Sequence, residues 1–253
     1  MRLTREEILA TASTIPQRRG WDYSAVRDRR DPVPWDYEQV VRAYLRPEHL
    51  VMDSGTGGGE RFLSLRGAYA LGLGIDPDPR MVSVARENGR LGQAAHVHWA
   101  QARGEALPVC DATVDMVLNR HASITPEETL RVLRPGGLLI MQEVGARNLD
   151  AVCRCFGCGP GGQYDYDPDQ SIYTLAERFR ALGGSILAVA EYDVPYVLLD
   201  LASLLFLLQG VGIPEDFDPA RHWPQITEIV ERCRTGEGIR TNEHRELLIV
   251  RRE

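Results

Sequence analysis

The sequence has few of the features that mark exported, membrane-spanning or strongly basic proteins. Its most apolar stretch, residues 197–213, is shorter than the roughly 20 residues of a membrane span, and Asp200 and Gln209 interrupt it. No charged start with an apolar run and a small-residue cleavage site opens the chain, so we expect no export signal and a cytoplasmic protein. Lysine is absent, and we attach no function to the use of arginine alone.

The chain also lacks a net positive charge and an even number of cysteines. The formal net charge of -7 gives no basic footprint for nucleic acid, and the arginine-rich segment 18–30 is interpreted as a solvated face. Five cysteines, an odd number, favour free thiols over a disulfide framework. Cys153, Cys155 and Cys158 resemble part of a soft-metal or metalloid site, with Cys233 or His222 available as a further ligand. Because a structural zinc needs four ligands and no second cysteine pair follows, we predict no metal site.

Helix and strand signals alternate along most of the chain. Apolar runs predict seven strands, at residues 50–52, 71–75, 97–99, 114–118, 138–141, 186–189 and 247–251. Periodic patterns, capping boxes at Thr4 and Thr125 and the cap Asp78-Pro79 predict helices from Thr4, at 36–45, 60–66, 81–88, 125–133 and 197–208, and near 223–233. This rhythm indicates an α/β fold: a doubly wound, mostly parallel seven-stranded sheet in a single domain. An N-terminal helical cap (1–35) precedes the core (36–192), and a helical insert (193–240) precedes the last strand (241–253).

A glycine-dense turn follows the first strand. Gly55, Gly57, Gly58 and Gly59 lie within five positions, and Asp53 ends the strand ahead of them. Dinucleotide folds also place glycines here, but a carboxylate beside a pyrophosphate is unfavourable and suits a cationic ligand instead. Asp76 ends the next strand, where it can accept hydrogen bonds from a ribose diol.

Three further segments make the pattern specific. They are Glu105-Ala106-Leu107-Pro108, Val114-Asp115-Met116-Val117 and Leu133-Arg134-Pro135-Gly136-Gly137. With the glycine turn and Asp76, they resemble the class I S-adenosylmethionine-dependent methyltransferases, in the type 11 branch of small-molecule enzymes, over residues 36–144 and the last strand. In that family the glycine loop lies under the methionine end of the cofactor, the second acid binds both ribose hydroxyls, and the residue ending the fourth strand contacts the amino group.

The resemblance implies a set of cofactor-binding positions in this chain. They are Asp53, Ser54, Gly55, Thr56, Gly57, Gly59, Asp76, Pro77, Ala102, Arg103, Gly104 and Asn119. One position departs from the family, because many relatives have an aspartate for the adenine amino group where this chain has Ala102-Arg103-Gly104. Either Gln101 or a backbone carbonyl takes that role, or Arg103 stacks on the purine.

The methyl acceptor is less defined. Enzymes that methylate exocyclic amines resemble one another in an Asp/Asn-Pro-Pro-aromatic turn, which is replaced here by Asn119-Arg120-His121-Ala122. We expect His121 to be a general base or to orient the acceptor. The alternative is a histidine that caps the helix at Thr125 or packs under the loop.

Acceptor contacts are predicted at aromatic and acidic positions of the cap and insert. They are Trp21, Tyr23, Trp35, Tyr37 and Asp200, and residues 157–170 are predicted to form a mobile loop at the same edge. Competing interpretations are packing of Trp35 and Tyr37 on the core, and Asp200 as a helix N-cap.

The sequence therefore predicts in-line transfer of a methyl group from S-adenosylmethionine to an oxygen, nitrogen or carbon nucleophile of a small molecule. Nucleic acid and membrane are not expected partners. The alternatives are an RNA methyltransferase of the same fold, a dinucleotide-dependent oxidoreductase and a non-catalytic S-adenosylmethionine-binding protein.

Overall fold

A computed structural model describes residues 3–18, 20–160, 162 and 167–253. Arg19 and part of the loop predicted at 157–170 lie outside the described residues. The strands are β1 Asp28–Arg30, β2 Leu50–Ser54, β3 Leu71–Asp76, β4 Val97–Gln101, β5 Val114–Arg120, β6 Leu133–Val144, β7 Gly184–Leu198 and β8 Ile239–Arg252. The helices are α1 Arg5–Ala12, α2 Tyr37–Tyr44, α3 Glu60–Ser64, α4 Pro79–Leu91, α5 Pro126–Val132, α6 Asp150–Cys155, α7 Ile172–Ala181, α8 Leu201–Val211 and α9 Trp223–Cys233, with a 3-10 turn at Pro168–Gln170.

The chain forms two compact units. The core unit comprises Pro34–Val144, Asp167–Glu191 and Glu246–Glu253, and the helical unit comprises Met1–Val33, Gly145–Tyr166 and Tyr192–Arg245. The sequence had placed the whole of 36–192 in the core, whereas the segment beginning at Gly145 groups with the N-terminal and late helices.

The core unit contains a sheet in which five neighbouring strands run parallel. Its strand order runs β7-β8-β6-β5-β2-β3-β4, and the pairs β6/β5, β5/β2, β2/β3 and β3/β4 are all parallel. Parallel neighbours end at the same edge of the sheet, so the residues that end β2, β3 and β5 are brought together there.

Both faces of this sheet are covered, as the doubly wound prediction requires. Adjacent residues of one strand point to opposite faces. Met52 therefore packs in a cluster with α5 and α7, while Val51 packs in a second cluster with α2 and α3. Asp36 caps α2, and Asp78 caps α4 with Pro79 at its first position, as predicted for Asp78-Pro79.

The helical unit has its own core. Ile8 of α1, Leu205 of α8 and Ile226 of α9 are fully buried together. The predicted cap and insert thus form one packed unit. No helix among the described residues combines the length and apolarity needed to cross a membrane.

The predicted strand number is wrong. Among the described residues the sheet has eight strands, because Asp28–Arg30, which the sequence places in the N-terminal cap, pairs antiparallel with the end of β7. Its three residues are exposed and carry no apolar alternation, so only main-chain pairing with a distant strand defines it.

Two predicted helix starts also need correction. The helix expected from Val197 begins at Leu201, because Val197 and Leu198 still pair with β1. The capping box predicted at Thr125 does not form: α5 begins at Pro126, but Thr125 makes no side-chain cap. The carboxylate of Glu128 instead accepts from the Leu107 N–H at 2.8 Å and pairs with Arg131.

Candidate active site

Three polar side chains meet at the carboxyl edge of the core sheet. Asp53 lies at the end of β2, Asp76 ends β3, and Asn119 lies at the end of β5, paired with Ser54 across the strands. Their exposed fractions are only 9%, 8% and 0%. Buried polar groups are costly without partners, so this cluster marks the place where the core unit can bind a polar ligand.

The glycine loop after β2 is held close to its neighbours. The N–H groups of Gly55 and Thr56 both donate to the Ile75 carbonyl, at 2.9 and 2.8 Å. Gly55 has a φ of +80°, and a Cβ added there would lie 2.2 Å from the Cβ of Ala122. Only glycine fits both the left-handed conformation and this contact.

Gly59 serves packing beneath the loop. Its φ is +76°, and an added Cβ would lie 2.5 Å from the Trp99 indole. Gly74 and Gly89 make room for the same indole. The sequence predicted cofactor contact at Gly59, and the structure gives this glycine a reason that needs no ligand.

Asp53 is a buried carboxylate whose charged form is disfavoured. Burial raises its pKa to about 6, the negative charge of Asp76 adds to the rise, and the Thr56 hydroxyl and the Arg120 charge offset part of it. A cation placed next to Asp53 would relieve the penalty. The electrostatics therefore favour a positively charged ligand group at the end of β2.

Asp76 organises the loop as well as facing the ligand edge. Its two carboxylate oxygens accept from the N–H groups of Gly57 and Asp78, each at 2.9 Å. Each oxygen has a second lone pair, so the carboxylate keeps the capacity to accept from a diol.

Asn119 has one satisfied and one unsatisfied end. Its Nδ2 donates to the Ser54 carbonyl at 3.2 Å, while its Oδ1 is buried with no hydrogen-bond partner. A buried acceptor of this kind costs about 1 to 3 kcal/mol until a donor reaches it. An ammonium group is a donor that fits.

A cavity of about 200 Å³ opens beside this cluster. Six of the predicted cofactor residues line it, namely Ser54, Gly55, Pro77, Ala102, Arg103 and Gly104. Its volume is below the roughly 300 Å³ of a typical ligand pocket, so it suits part of a ligand, with the rest lying over the glycine loop. Ala122 and Ser123, which follow His121 in the chain, also line it.

His121 lies in a strained turn next to the cavity. Its φ is +59°, which is uncommon for a residue other than glycine. The His121 N–H donates to the Gln142 carbonyl at 2.9 Å, and the Ala122 N–H donates to the Glu143 carboxylate at 2.9 Å. Strain held by surrounding bonds is frequent at active sites, because it places a side chain that an unstrained turn would not.

Glu143 is a residue that sequence reasoning missed. Burial raises its pKa to about 7, Glu246 adds to the rise, and the Val144 and Ala122 N–H groups and Arg120 oppose it. The available signal was Gln142-Glu143 directly after the predicted strand 138–141, because polar residues ending a parallel strand face the ligand edge.

Two predicted acceptor residues belong to the core unit. The Trp35 Nε1–H donates to the Gln142 Oε1 at 3.4 Å. The Tyr37 hydroxyl lies 3.3 Å from the Asn119 carbonyl and 3.2 Å from that of Ile140, and burial raises its pKa. Both rings also pack on the apolar cluster of α2 and α3, which favours the packing interpretation for Tyr37.

The other three lie in the helical unit. Tyr23 packs edge-on against Phe206, and Arg18 stacks over Trp21, which is 52% exposed. Asp200 caps α8 by accepting from the Ser203 N–H at 2.8 Å and pairs with Arg27 at 3.0 Å. The N-cap alternative for Asp200 is thus confirmed.

The cysteines do not converge on a common point. No disulfide joins any of the five, and among the described residues no three of them bring their sulfurs within reach of one metal ion. The thiols of Cys153, Cys155 and Cys158 each contact a nearby backbone carbonyl instead.

Comparison with known proteins finds a resemblance in the core. Residues 52–141 match the Methyltransf_11 family, described as a methyltransferase domain. An arsenite methyltransferase of Halobacterium salinarum is 35% identical over 112 residues, which are 40% of this chain and 29% of that protein. A putative 23S rRNA (guanine-N(1)-)-methyltransferase of Micromonospora griseorubida is 35% identical over 103 residues, which are 40% of this chain and 33% of that protein.

The fold extends further than the sequence match. The crystal structure of YcgJ from Bacillus subtilis superimposes with a TM-score of 0.63 at 19% identity, covering 86% of this chain and 98% of that one. The chain spans about a third of the length of the two curated relatives, whose names specify different acceptors. The shared part resembles a methyltransferase domain in sequence, its fold is that of YcgJ, and the likeness leaves the acceptor open.

Proposed function

We propose that the core is a class I methyltransferase domain and that the protein is an S-adenosylmethionine-dependent methyltransferase acting on a small molecule. The observation that carries the proposal is the polar cluster at the ends of β2, β3 and β5. It combines a carboxylate with a raised pKa at Asp53, an acceptor without a partner at Asn119 Oδ1, and a glycine turn that admits no side chain at Gly55.

The residues present fit S-adenosylmethionine in chemistry. The cofactor carries an ammonium group and a sulfonium, and both favour a site with an ionised Asp53 and the free acceptor of Asn119. Asp76 would accept from the ribose hydroxyls while continuing to hold Gly57. The cavity walled by Arg103 and Gly104 would take the adenine.

When bound, the cofactor supplies an electrophilic methyl group for in-line displacement. The contribution of this chain is to position the acceptor and exclude water. Ala122 lines the cavity and His121 precedes it in the same turn, which is fixed by hydrogen bonds to Gln142 and Glu143. Positioning of this kind accounts for much of the acceleration of a transfer between two bound groups.

A small-molecule acceptor is supported by the absence of features that nucleic acid requires. The chain carries a formal charge of -7, and the turn after β5 has no paired prolines or stacking aromatic. Because one relative is named for 23S rRNA, RNA must also be tested as a methyl acceptor.

Calorimetric titration of S-adenosylmethionine, S-adenosylhomocysteine and NAD into the protein tests the cofactor, with Asp76→Ala in parallel. Micromolar binding of the first two ligands is expected, with loss in the variant and no heat from NAD. Binding of NAD alone, or of none of the three, would refute the assignment.

Two further measurements separate the remaining alternatives. Salt-dependent binding of RNA in the same concentration range would support the RNA methyltransferase, since phosphate contacts release counterions. Cofactor binding without methyl transfer to any compound of a broad acceptor screen would support the non-catalytic binding protein.

A further inference from the structure

The C-terminal end of α6, in the helical unit, brings two cysteines together. The helix ends at Cys155, and Gly157 just beyond it has a left-handed φ of +66°. The Gly157 N–H donates to the Arg154 carbonyl at 3.2 Å, and the Cys158 N–H donates to the Cys153 carbonyl at 3.0 Å. This pair of bonds is the Schellman motif, in which the first and last residues of the turn commonly pack against each other. Here those two residues are Cys153 and Cys158.

The side chains of the two cysteines share one environment. Both belong to the apolar cluster of the helical unit, and they are only 7% and 5% exposed. A Cβ added at Gly159 would lie 3.6 Å from the Cβ of Cys153, so the Cys153 side chain points toward the turn that carries Cys158. Burial raises the pKa of the Cys153 thiol to about 12, and the neighbouring Cys158 adds to the rise, as expected for two sulfurs that lie near each other.

The backbone geometry suits a disulfide between them. A disulfide requires two Cα atoms about 4.4 to 6.8 Å apart. The main-chain hydrogen bond between Cys158 and Cys153 holds their Cα atoms about 5 to 6 Å apart, which lies within that window. Cys155 is a poor partner for Cys153, because two positions along a helix are about 200° apart around its axis.

We propose that Cys153 and Cys158 form a modification site, at which an oxidant closes the two thiols to a disulfide that staples the end of α6. The inference goes beyond the proposed function, because it concerns the helical unit and requires no cofactor. The rival pair is Cys155 with Cys233 of α9, since both lie in the same apolar cluster.

The oxidant is a low-molecular-weight disulfide such as oxidised glutathione. One cysteine thiolate attacks a glutathione sulfur, a mixed disulfide forms, and the first glutathione thiolate leaves. The second cysteine then attacks the protein sulfur of the mixed disulfide and releases the second glutathione. Two protein S–H bonds break and one protein S–S bond forms. Oxidised glutathione is reduced to two thiols, which take up the two protons.

The oxidant reaches the pair through the turn. Gly157 is exposed and Gly159 is half-buried on either side of Cys158, so local opening of this turn is enough to expose a thiol. Burial raises the pKa of both thiols, which leaves little thiolate at neutral pH. Closure should therefore take on the order of hours.

Equilibration of the protein with a glutathione buffer, followed by acid quenching, alkylation and tryptic digestion, tests the site. Trypsin cuts after Arg154, so Cys153 and Cys158 fall in the separate peptides 148–154 and 155–178. The expected product is these two peptides joined by a disulfide, at least tenfold more abundant than any link to Cys110 or Cys233. A dominant link between peptide 155–178 and Cys233 would overturn the proposal.

Two matched variants identify the sulfur in the second peptide, which contains both Cys155 and Cys158. The link should persist in Cys155→Ser and disappear in Cys158→Ser. Cys158→Ala keeps the apolar packing and should give the same result as Cys158→Ser if the serine disturbs the buried cluster. A link that is lost in Cys155→Ser and kept in both Cys158 variants would refute the assignment.

Hydrogen exchange of the reduced and oxidised protein tests the staple itself. In the reduced protein the Cys158 N–H is released whenever the last turn of α6 opens. Exchange at this N–H should slow at least tenfold in the oxidised protein, and dithiothreitol should restore the faster rate. Equal rates in the two forms would contradict the staple. Both measurements use the protein without S-adenosylmethionine, so failure of the proposed function would leave their outcome unchanged.

Discussion

Replacing Gly55 by alanine tests whether the glycine turn and the acceptor turn are built as one unit. The added Cβ would lie 2.2 Å from the Cβ of Ala122, whereas ordinary contacts begin near 3.4 Å. The two turns must therefore separate by about 1 Å. Alanine in the left-handed conformation, with a φ of +80°, should lower the free energy of unfolding by about 1 to 2 kcal/mol, and overpacking should lower it by about 1 to 3 kcal/mol more.

Two other glycines separate these costs. Gly136 has a φ of +78° but open space where a Cβ would lie. Gly136→Ala should therefore lower the unfolding free energy, measured by heat or denaturant, only by the cost of the left-handed conformation. Gly67 has neither constraint, so the unfolding free energy of Gly67→Ala should stay within about 0.5 kcal/mol of the parent value.

The double variant Gly55→Ala with Ala122→Gly provides the decisive comparison. Without the Ala122 Cβ, the nearest atom to the new methyl group is the Ala122 Cα at 3.7 Å, an ordinary contact. Gly55→Ala alone should weaken S-adenosylhomocysteine binding at least tenfold, about 1.4 kcal/mol, and the second change should restore most of it. Independent effects of the two substitutions in a double-mutant cycle would refute the coupling.

The remaining predictions concern charge, capping and thiol reactivity. Asp53→Asn should abolish cofactor binding yet stabilise the free protein at neutral pH. Because the pKa of Asp53 is raised in the folded state, its stabilising contribution is complete below pH 4 and is lost as pH rises through about 6. Denaturant unfolding at pH 7 should give the variant an unfolding free energy up to about 3 kcal/mol higher than that of the parent, and no gain would contradict this. Asp200→Ala should lower the unfolding free energy by about 1 kcal/mol through loss of its cap, with Asp200→Asn near the parent and cofactor affinity unchanged in both. Cys110 is exposed and should react with a thiol reagent before Cys153, because burial raises the pKa of the Cys153 thiol to about 12. Mass-resolved labelling that shows the reverse order would count against this.

Much of the core was predictable because its signals are local. The run at 50–52, the Asp36 cap and the Asp78-Pro79 pair each specify an element through neighbours a few residues away. Strand β1 escaped prediction because three exposed polar residues have no periodicity, and they became a strand only by pairing with β7.

The candidate site was predictable in position more than in detail. Asp53, Asp76 and Asn119 had to meet because parallel strands end at one edge of the sheet. Their roles as cofactor contacts stay a prediction, as does that of His121. Glu143 was missed, because its raised pKa arises from burial that no local pattern records.

The sequence alone determined the order of the helices and strands from residue 36 to 144, the glycine turn and the acids that flank it, since hydrophobic periodicity, capping and backbone conformation act over short stretches of chain. Only the tertiary structure decided that Ala122 lies against Gly55, that Trp99 fills the space at Gly59, and that Gln142 contacts both His121 and Trp35, the latter 107 residues away in sequence. The reason is physical: close packing and the pairing of buried donors with acceptors depend on which atoms become neighbours in the folded chain.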